Sequence, residues 1–328
     1  MTIFTEKDTD IVLATYNGEK YLAQQIDSIR ANSAYQDHIS RFIICDDHST
    51  DSTKAIVLQY QAIDERIEWH VNTTGKTGPN ANFSYGLSLS NAPLVMLSDQ
   101  DDVWHEEKIV RTRSAIRLIS TSTPALIFTD KRIVDEQLNL ICQSYFELKK
   151  IPKSWHNSLA NLMQQNVASG CTCIINRALM DVAMPIPDQA YMHDWWLAIV
   201  AKRFGHLELI DAPLIDYRQH GGNSIGAKPR STFDLIRNVT KHYHKFTQSL
   251  NNIIQQAEAF KRLELSMDTQ ASAITTILAD IPHSRARRII ALAKGQLYRS
   301  HWKGMLALIL NLILRPVQAP KTTRPLRK

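Results

Sequence analysis

Short apolar runs alternate with amphipathic stretches throughout the first hundred residues. Four of these runs indicate strands, at residues 11–14, 42–45, 67–71 and 94–97. Between the first two runs, Leu22, Ile26 and Ile29 have the spacing of a helix over residues 19–30. Strands that alternate with helices in this way predict βαβ units, and therefore an α/β fold built on a parallel sheet.

Polar turns follow three of the four strands. They are residues 15–18 (TYNG), 46–51 (DDHSTD) and 98–102 (SDQDD). Because parallel strands present their carboxyl ends along one edge of a sheet, we expect the three turns to converge there. Neither a G-x-G-x-x-G after the first strand nor a P-loop is present, so the turns indicate a nucleotide site of another kind.

Three carboxylates crowd the third turn, at Asp99, Asp101 and Asp102. Like charges at this density repel one another, and a bound divalent cation relieves the repulsion. The carboxylate oxygens of Asp99 and Asp101 suit Mg²⁺ or Mn²⁺, which keep coordination positions for the phosphates of a substrate. The alternative is a solvated acidic loop that caps a helix beginning near His105.

The charge of the chain is unevenly distributed. The 328 residues are 44% hydrophobic and 21% charged, as in a folded protein of one large or two ordinary domains. Residues 281–328 hold eleven Lys or Arg and no Asp or Glu, so the overall charge of +6 leaves −5 on the first 280 residues. A basic end of this kind attracts nucleic acid or an anionic lipid surface.

Cysteine usage and the apolar runs predict a cytoplasmic location. Cys45, Cys142, Cys171 and Cys173 form neither a C-x-x-C pair nor a disulfide framework, as expected of reduced core residues. The first ten residues carry no signal-peptide core, and no run reaches the eighteen apolar residues of a spanning helix.

The last hundred residues change to continuous helical periodicity, with an apolar stripe over residues 233–265. Residues 305–314 are strongly apolar and lie between Trp302-Lys303 and Arg315-Pro316, which favours an interfacial helix; the alternative is a helix packed on the rest of the protein. The basic residues 321–328 would add attraction to anionic lipid. We therefore predict two domains, 1–226 and a basic helical, membrane-associating region at 227–328.

Six motifs occur in an order typical of one enzyme family. They are residues 14–22 (ATYNGEKYL), 46–51 (DDHSTD), 82–83 (NF), 98–104 (SDQDDVW), 193–196 (HDWW) and 217–223 (YRQHGGN). Over residues 10–226 the chain resembles the family 2 inverting glycosyltransferases, and most of all the bacterial rhamnosyltransferases of cell-surface polysaccharide synthesis. One departure is His48, at a turn position where the family has Gly.

The resemblance implies a GT-A-like fold, with a Rossmann-type, mostly parallel sheet flanked by helices. It places the general base that an inverting transfer requires at Asp194. It implies a divalent cation, Mg²⁺ or Mn²⁺, bound by Asp99, Asp101 and His220. It also implies a set of residues that hold the nucleotide-sugar donor: Thr15, Tyr16, Asn17, Asp47, Asn82, Asp99 and Arg218.

Several of these assignments have structural alternatives. Asp194 suits a helix N-cap, with the two tryptophans after it in the core. Residues 46–51 suit an Asx turn, and His220 suits a surface or core position. Gly170 is expected to begin a strand that a substrate approaches closely, or to be a turn glycine.

The expected activity is that of a hexosyltransferase. The resemblance implies transfer of L-rhamnose from dTDP-rhamnose to a lipid-linked saccharide, in the synthesis of O-antigen, capsule or rhamnan, at the inner face of the cell membrane. The alternatives are the same chemistry with a UDP-hexose donor (galactosyl or glucosyl transfer) and a nucleotide-sugar-binding protein without turnover. Nucleic acid is not an expected partner, because the apolar run beside the basic end suits lipid better.

Overall fold

The computed structural model describes residues 7–221 and 239–317, which form two compact units. Unit one runs to Leu162 and resumes at Asn166, whereas unit two contains residues 163–165 and the described residues from 239 onwards. The domain boundary predicted at 226/227, the end of the last motif at 222–223 and the basic residues 321–328 lie outside the described residues. The domain division therefore stays a prediction.

Unit one is organised around one sheet with the strand order β3-β2-β1-β4-β8-β6-β9-β5, and β7 pairs with β6. The strands are β1 (Thr9–Thr15), β2 (Ile39–Asp46), β3 (Ile67–Val71), β4 (Leu94–Asp99), β5 (Val103–Trp104), β6 (Ala125–Val134), β7 (Leu140–Cys142), β8 (Ile174–Asn176) and β9 (His206–Arg218).

Helices accompany the strands of unit one in the predicted alternation. They are α1 (Leu22–Arg30), α2 (Tyr35–His38), α3 (Thr53–Gln61), α4 (Pro79–Leu89), α5 (Lys108–Ile116), α6 (Tyr145–Lys149), α7 (Leu159–Gln164), α8 (Arg177–Ala183) and α9 (His193–Phe204). Helix α7 ends within unit two. Two short 3₁₀ helices span Lys153–Asn157 and Gly170–Thr172.

The first four strands, β3, β2, β1 and β4, form the predicted parallel half of the sheet. Ile11, Val12 and Leu13 of β1 are all fully buried, although successive side chains of a strand point to opposite faces. A strand buried on both faces is typical of a parallel sheet, and it explains why the runs are continuously apolar. Parallel pairing sets Thr15 beside Asp46 and Ala14 beside Asp99, so the three polar turns converge as expected.

The second half of the sheet is mixed. Strand β8 is antiparallel to both β4 and β6, β9 is parallel to β6, and β5 is antiparallel to β9. Strands β6 and β7 form a hairpin, and a connection that short makes antiparallel neighbours. The predicted mostly parallel pattern therefore describes the first four strands, and beyond them the sheet is a mixed one.

The helix expected near His105 begins three residues later, at Lys108, after Val103 and Trp104 pair with β9 as a short strand. At Gly170 the prediction of a strand was wrong, and the alternative of a turn glycine agrees with the structure. The strand expected at Gly170 begins at Ile174 instead. The N–H groups of residues 172 and 173 donate to the carbonyls of residues 169 and 170, and these bonds form a 3₁₀ turn.

Unit two is helical, as predicted. Its helices are α10 (Val239–Ser266), α11 (Ala273–Asp280), α12 (Arg285–Ala293) and α13 (Trp302–Leu314). Ser272 and Ser284 cap α11 and α12 by accepting the N–H of the third residue beyond them. Across the described part of the chain, no helix combines the length and the apolar character that crossing a bilayer requires.

Candidate active site

A side chain from the turn at residues 98–102, the acidic turn, hydrogen-bonds to the turn after β1. Gln100 Oε1 accepts hydrogen bonds from the Thr15 hydroxyl (2.6 Å) and from the N–H of Tyr16 (2.8 Å), and its Nε2 donates to the Tyr16 carbonyl (3.1 Å). The Tyr16 side chain remains exposed. Gln100 had no predicted role. Its place between Asp99 and Asp101 is the sequence signal that could have pointed to it.

Hydrogen bonds join the turns after β1 and β2. Asn17 adopts a φ of 47°, donates its N–H to the Ser49 hydroxyl (2.8 Å) and accepts the N–H of Thr50 at Oδ1 (2.9 Å). His48 has a φ of 65°, so it adopts the left-handed geometry for which the family uses Gly. The turn therefore keeps its left-handed conformation with His48 in place of Gly.

Asp47 has one bonded and one orphaned carboxylate oxygen. Oδ2 accepts a 2.6 Å hydrogen bond from the N–H of Gly78, while Oδ1 is buried without a hydrogen-bond partner among the described residues. A buried acceptor without a partner costs free energy unless a ligand satisfies it. Oδ1 is therefore suited to an N–H or O–H of a nucleotide.

Asn82 joins the ends of β1 and β2 from helix α4. Its Nδ2 donates to the carbonyls of Cys45 (2.8 Å) and Thr15 (3.4 Å), and its Oδ1 is buried without a partner among the described residues. The structure thus gives Asn82 a scaffold function under the two turns. Contact with the donor stays a prediction for this residue.

The acidic turn meets the end of β9. Nε2 of His220 lies 2.7 Å from Oδ2 of Asp101, although 119 positions separate the two residues. The Tyr21 ring lies against the His220 ring, with 5.0 Å between the centroids. Two of the three predicted metal ligands are thus in contact, and both are largely buried.

The electrostatics of this turn are those of crowded carboxylates. Burial, and then the neighbouring Asp101, raise the pKa of Asp99 from its usual 3.8 to about 7. Burial raises the pKa of the fully buried Asp102 as well. Lys131 opposes both shifts; its ammonium lies over the Tyr217 ring, 3.6 Å from the centroid.

A second buried lysine lies behind the turn. Nζ of Lys108 donates to the Cys171 carbonyl (2.8 Å), and burial lowers the pKa of Lys108 to about 7. Neither Lys108 nor Lys131 was predicted as part of the site. A lysine among other charged residues, as both are in the sequence, looks like a surface residue until the fold shows that it is buried.

Arg218 is bonded to the acidic turn. Its Nε donates to the Asp101 carbonyl (2.9 Å), its Nη1 to the Glu136 carbonyl (2.7 Å) and its Nη2 to Oε1 of Gln24 (2.6 Å), and its side chain is buried. The structure therefore gives Arg218 a supporting function beneath the predicted metal ligands. The predicted contact with the donor phosphates remains a prediction.

Asp194 lies in the first turn of α9 with both carboxylate oxygens engaged. Oδ2 accepts the N–H of Gly170 (2.8 Å), and Oδ1 accepts the side-chain amide of Asn166 (3.1 Å). The N-cap of α9 is Met192, so the alternative of Asp194 as N-cap was wrong. The Asp194 carboxylate also raises the pKa of Asp99, with a smaller effect than burial and Asp101.

The two tryptophans after Asp194 belong to the core. Both are nearly fully buried, and their indole N–H groups donate to the carbonyls of Leu162 (2.5 Å) and Ala183 (2.9 Å). His193 is also buried and stacks on Phe83, with 3.9 Å between ring centroids. These rings fix the start of α9 and do not line an open surface.

The carboxylates and the imidazole at the acidic turn fit a hard divalent cation. Asp99, Asp101 and His220 offer the oxygen and nitrogen ligands that Mg²⁺ and Mn²⁺ accept. Ligand atoms of Asp99, Asp102 and Cys171 also lie within 4.8 Å of one another. Burial raises the pKa of the Cys171 thiol, so the thiolate that a metal requires is disfavoured there.

The chain is similar to known glycosyltransferases. Residues 10–117 match the glycosyl transferase family 2 profile. The dTDP-rhamnosyl transferase RfbG of Shigella flexneri is 28% identical over 267 residues, which are 74% of this chain and 84% of that protein. TuaG of Bacillus subtilis, named as a candidate teichuronic acid biosynthesis glycosyltransferase, is 31% identical over 244 residues (72% and 90%).

Among solved structures, the mannosyltransferase PcManGT of Pyrobaculum calidifontis, in complex with GDP-Man and Mn²⁺, superposes with a TM-score of 0.57. The match covers 94% of this chain and 87% of that one at 13% identity, so it shows that the two proteins share a fold. The predicted GT-A fold is confirmed. This chain is a glycosyltransferase of the GT-A fold, and it belongs to glycosyltransferase family 2.

Proposed function

We propose that this glycosyltransferase transfers L-rhamnose from dTDP-rhamnose, with inversion, to a lipid-linked saccharide during cell-surface polysaccharide synthesis. The observation that supports the mechanism is the convergence of the donor turns and the Asp101–His220 pair at one edge of the sheet. The Asp194 carboxylate, which raises the pKa of Asp99, is the candidate base for that site. The likeness to RfbG supports the donor. The lipid-linked acceptor rests on the family resemblance.

The donor side of the reaction uses the turns after β1 and β2. Oδ1 of Asp47 is the orphaned acceptor for the nucleotide, and Gln100 holds the Thr15–Tyr16 backbone in place beside it. Asp99, Asp101 and His220 would hold Mg²⁺ or Mn²⁺. When bound, the cation neutralises the charge of the departing nucleoside diphosphate.

The acceptor side uses Asp194. Its carboxylate takes the proton of the acceptor hydroxyl as the oxygen bonds to the anomeric carbon, while the bond to the nucleoside diphosphate breaks on the opposite face. A single displacement, with attack and departure on opposite faces of the anomeric carbon, inverts its configuration. Hydrogen bonds from Gly170 and Asn166 keep the carboxylate oriented for that proton transfer.

The test is a thermal-shift and transfer experiment with matched donors. A ligand that binds only the folded protein raises its stability, so dTDP-rhamnose, UDP-glucose and UDP-galactose are compared with Mn²⁺, with Mg²⁺ and with EDTA. We expect stabilisation by dTDP-rhamnose that EDTA removes, and transfer that Asp194→Asn abolishes while donor binding persists. A preference for UDP-glucose or UDP-galactose would mean that the donor sugar is not rhamnose. Normal turnover by Asp194→Asn would exclude Asp194 as the base.

Helix α13 supports the membrane side of the proposal. Leu308 and Leu312 are buried against the other helices of unit two, whereas Trp302, Leu306 and Leu310 on the other face are about half exposed or more. A helix with one apolar face open to solvent suits the headgroup region of a bilayer. We propose that this face binds an anionic lipid surface at the inner side of the cell membrane.

Charge complementarity favours lipid as the occupant of that face. Lys303 lies over the Trp302 ring, 5.7 Å from its centroid, and Nη2 of Arg285 donates to the Ile313 carbonyl (2.9 Å). Cations therefore flank the apolar face at both ends of α13, in a segment with no acidic residue after Asp280.

Sedimentation with vesicles tests the membrane proposal. We expect binding to phosphatidylglycerol vesicles that falls with salt and that Leu306→Asp or Leu310→Asp weakens, with Leu118→Asp as an exposed control in unit one. Equal binding by these variants, or preferential binding to duplex DNA, would exclude lipid docking through α13.

A further inference from the structure

The helix that carries Asp194 is capped by a side chain from another element. Helix α9 begins after Met192, whose side chain makes no capping hydrogen bond. Instead, Oδ1 of Asn80, in the first turn of α4, accepts a 2.6 Å hydrogen bond from the N–H of His193. The first N–H groups of a helix lack partners within the helix, and this bond satisfies one of them from another element, since Met192 offers no capping side chain.

The amide group of Asn80 also holds the chain that leads into α9. Its Nδ2 donates to the carbonyls of Ala190 (3.0 Å) and Tyr191 (3.3 Å). Three residues further along α4, on the same helix face, Phe83 stacks on the His193 ring. One side chain therefore fixes both the approach to α9 and its first N–H group, immediately before Asp194.

The start of α4 also contacts the donor turns. The N–H of Gly78, at the start of α4, donates to Asp47 (2.6 Å), and Asn82 donates to the Cys45 carbonyl at the end of β2 (2.8 Å). The first turn of α4 thus lies between the residues proposed to hold the nucleotide and the residue proposed as the base.

We propose that Asn80 is a positioning residue for Asp194: by capping α9 from helix α4, it sets the Asp194 carboxylate relative to the donor turns. The inference rests on the proposed function for the role of Asp194 as the base. The cap itself is a feature of the fold, so it can be measured without any sugar transfer.

Two variants and one control separate the parts of the proposal. Asn80→Ala removes the cap, and Asn80→Asp keeps an acceptor for the His193 N–H while losing the amide donors. Ser88→Ala changes an exposed residue of the same helix and serves as the control. The measurements are hydrogen exchange across residues 190–197, kcat with the donor that the wild type uses, and calorimetric affinity for dTDP with Mn²⁺.

We expect Asn80→Ala to speed exchange across residues 190–197 at least tenfold, and to lower kcat at least tenfold with the nucleotide affinity within twofold of the wild type. Asn80→Asp should recover much of the protection and part of kcat, and Ser88→Ala should match the wild type. Unchanged exchange in Asn80→Ala overturns the proposal. So does a parallel loss of kcat, nucleotide affinity and Tm, which is the pattern of a general folding defect.

A failure of the proposed function gives a different pattern. If Asp194→Asn turns over as the wild type does, the base assignment fails, while exchange across residues 190–197 still decides whether Asn80 caps α9.

Discussion

The backbone N–H of Gly170 donates a 2.8 Å hydrogen bond to Oδ2 of Asp194, through a space that admits no side chain on residue 170. A Cβ at residue 170 would lie 2.6 Å from Nε2 of His193 and 3.5 Å from Cβ of Asp194. The first distance is well inside van der Waals contact. The glycine is therefore required for the close approach of the 3₁₀ turn to α9.

Gly170→Ala should displace the Asp194 carboxylate and lower kcat at least tenfold. Nucleotide affinity should change little, because the donor turns lie on other elements. Steady-state kinetics and calorimetry with dTDP and Mn²⁺ check this, and Ser169→Ala, which adds no atoms, is the neighbouring control. Wild-type turnover in Gly170→Ala would mean that the geometry of Asp194 is not critical.

Asp99→Asn should stabilise the metal-free protein while removing its response to metal. The folded pKa of Asp99, about 7, exceeds its usual 3.8, so the charge on Asp99 costs no stability below pH 4, costs progressively more up to pH 7 and costs its full amount above pH 7. The variant should therefore gain in Tm at pH 8 with EDTA, and the gain should shrink toward pH 5.

The same pKa sets the pH dependence of metal binding in the wild type. Protons compete with the cation for Asp99, so Mn²⁺ affinity should rise with pH up to about 7 and then level off. Asp37→Asn, at an exposed carboxylate, is the control. Equal stabilisation of the wild type and Asp99→Asn by Mn²⁺ would exclude Asp99 as a ligand.

Arg218→Lys should weaken metal binding and stability together. A lysine ammonium does not reproduce the three hydrogen bonds that the planar guanidinium makes to Asp101, Glu136 and Gln24. We expect a Tm several degrees lower, weaker Mn²⁺ binding and unchanged dTDP affinity in EDTA, with the exposed Arg111→Lys as the control. Reduced dTDP affinity in EDTA would instead favour the originally predicted phosphate contact.

Gln100→Ala should loosen the donor turn. It removes three hydrogen bonds to Thr15 and Tyr16, each worth about 1 kcal/mol. We expect donor affinity to fall about tenfold, with a smaller effect on kcat at saturating donor, while the exposed Gln137→Ala matches the wild type. An unchanged donor affinity would show that the turn keeps its shape without Gln100.

The first half of the fold was readable from the sequence because its signals are local. Continuous apolar runs mark strands such as 11–14, and the parallel topology then brings the turns together at one edge. Strands of two or three residues carry no such signal. Val103-Trp104 is a strand only because β9, more than a hundred residues later, pairs with it.

The residues of the candidate site divide in the same way, into those with a local sequence signal and those without one. Asp99, Asp101, His220 and Asp194 were predicted from the motifs, and the structure places His220 in contact with Asp101 of the acidic turn. Their roles as ligands and base stay predictions. The supporting residues were not found, because their role depends on burial and on partners distant in sequence. Lys131 faces carboxylates from another strand, and Asn80 bonds to a backbone N–H 113 positions away.

The pairing of Asp101 with His220 also has a consequence for synthesis on the ribosome. The three polar turns are complete once residue 102 has been made, but His220 and Arg218 arrive only with the end of β9, which must then pair with β6. Closure between such distant segments is slow to form in a growing chain. A polypeptide released before that point lacks the predicted third metal ligand and the hydrogen bond from Arg218 to the Asp101 carbonyl, so we expect sugar transfer only once unit one is nearly whole.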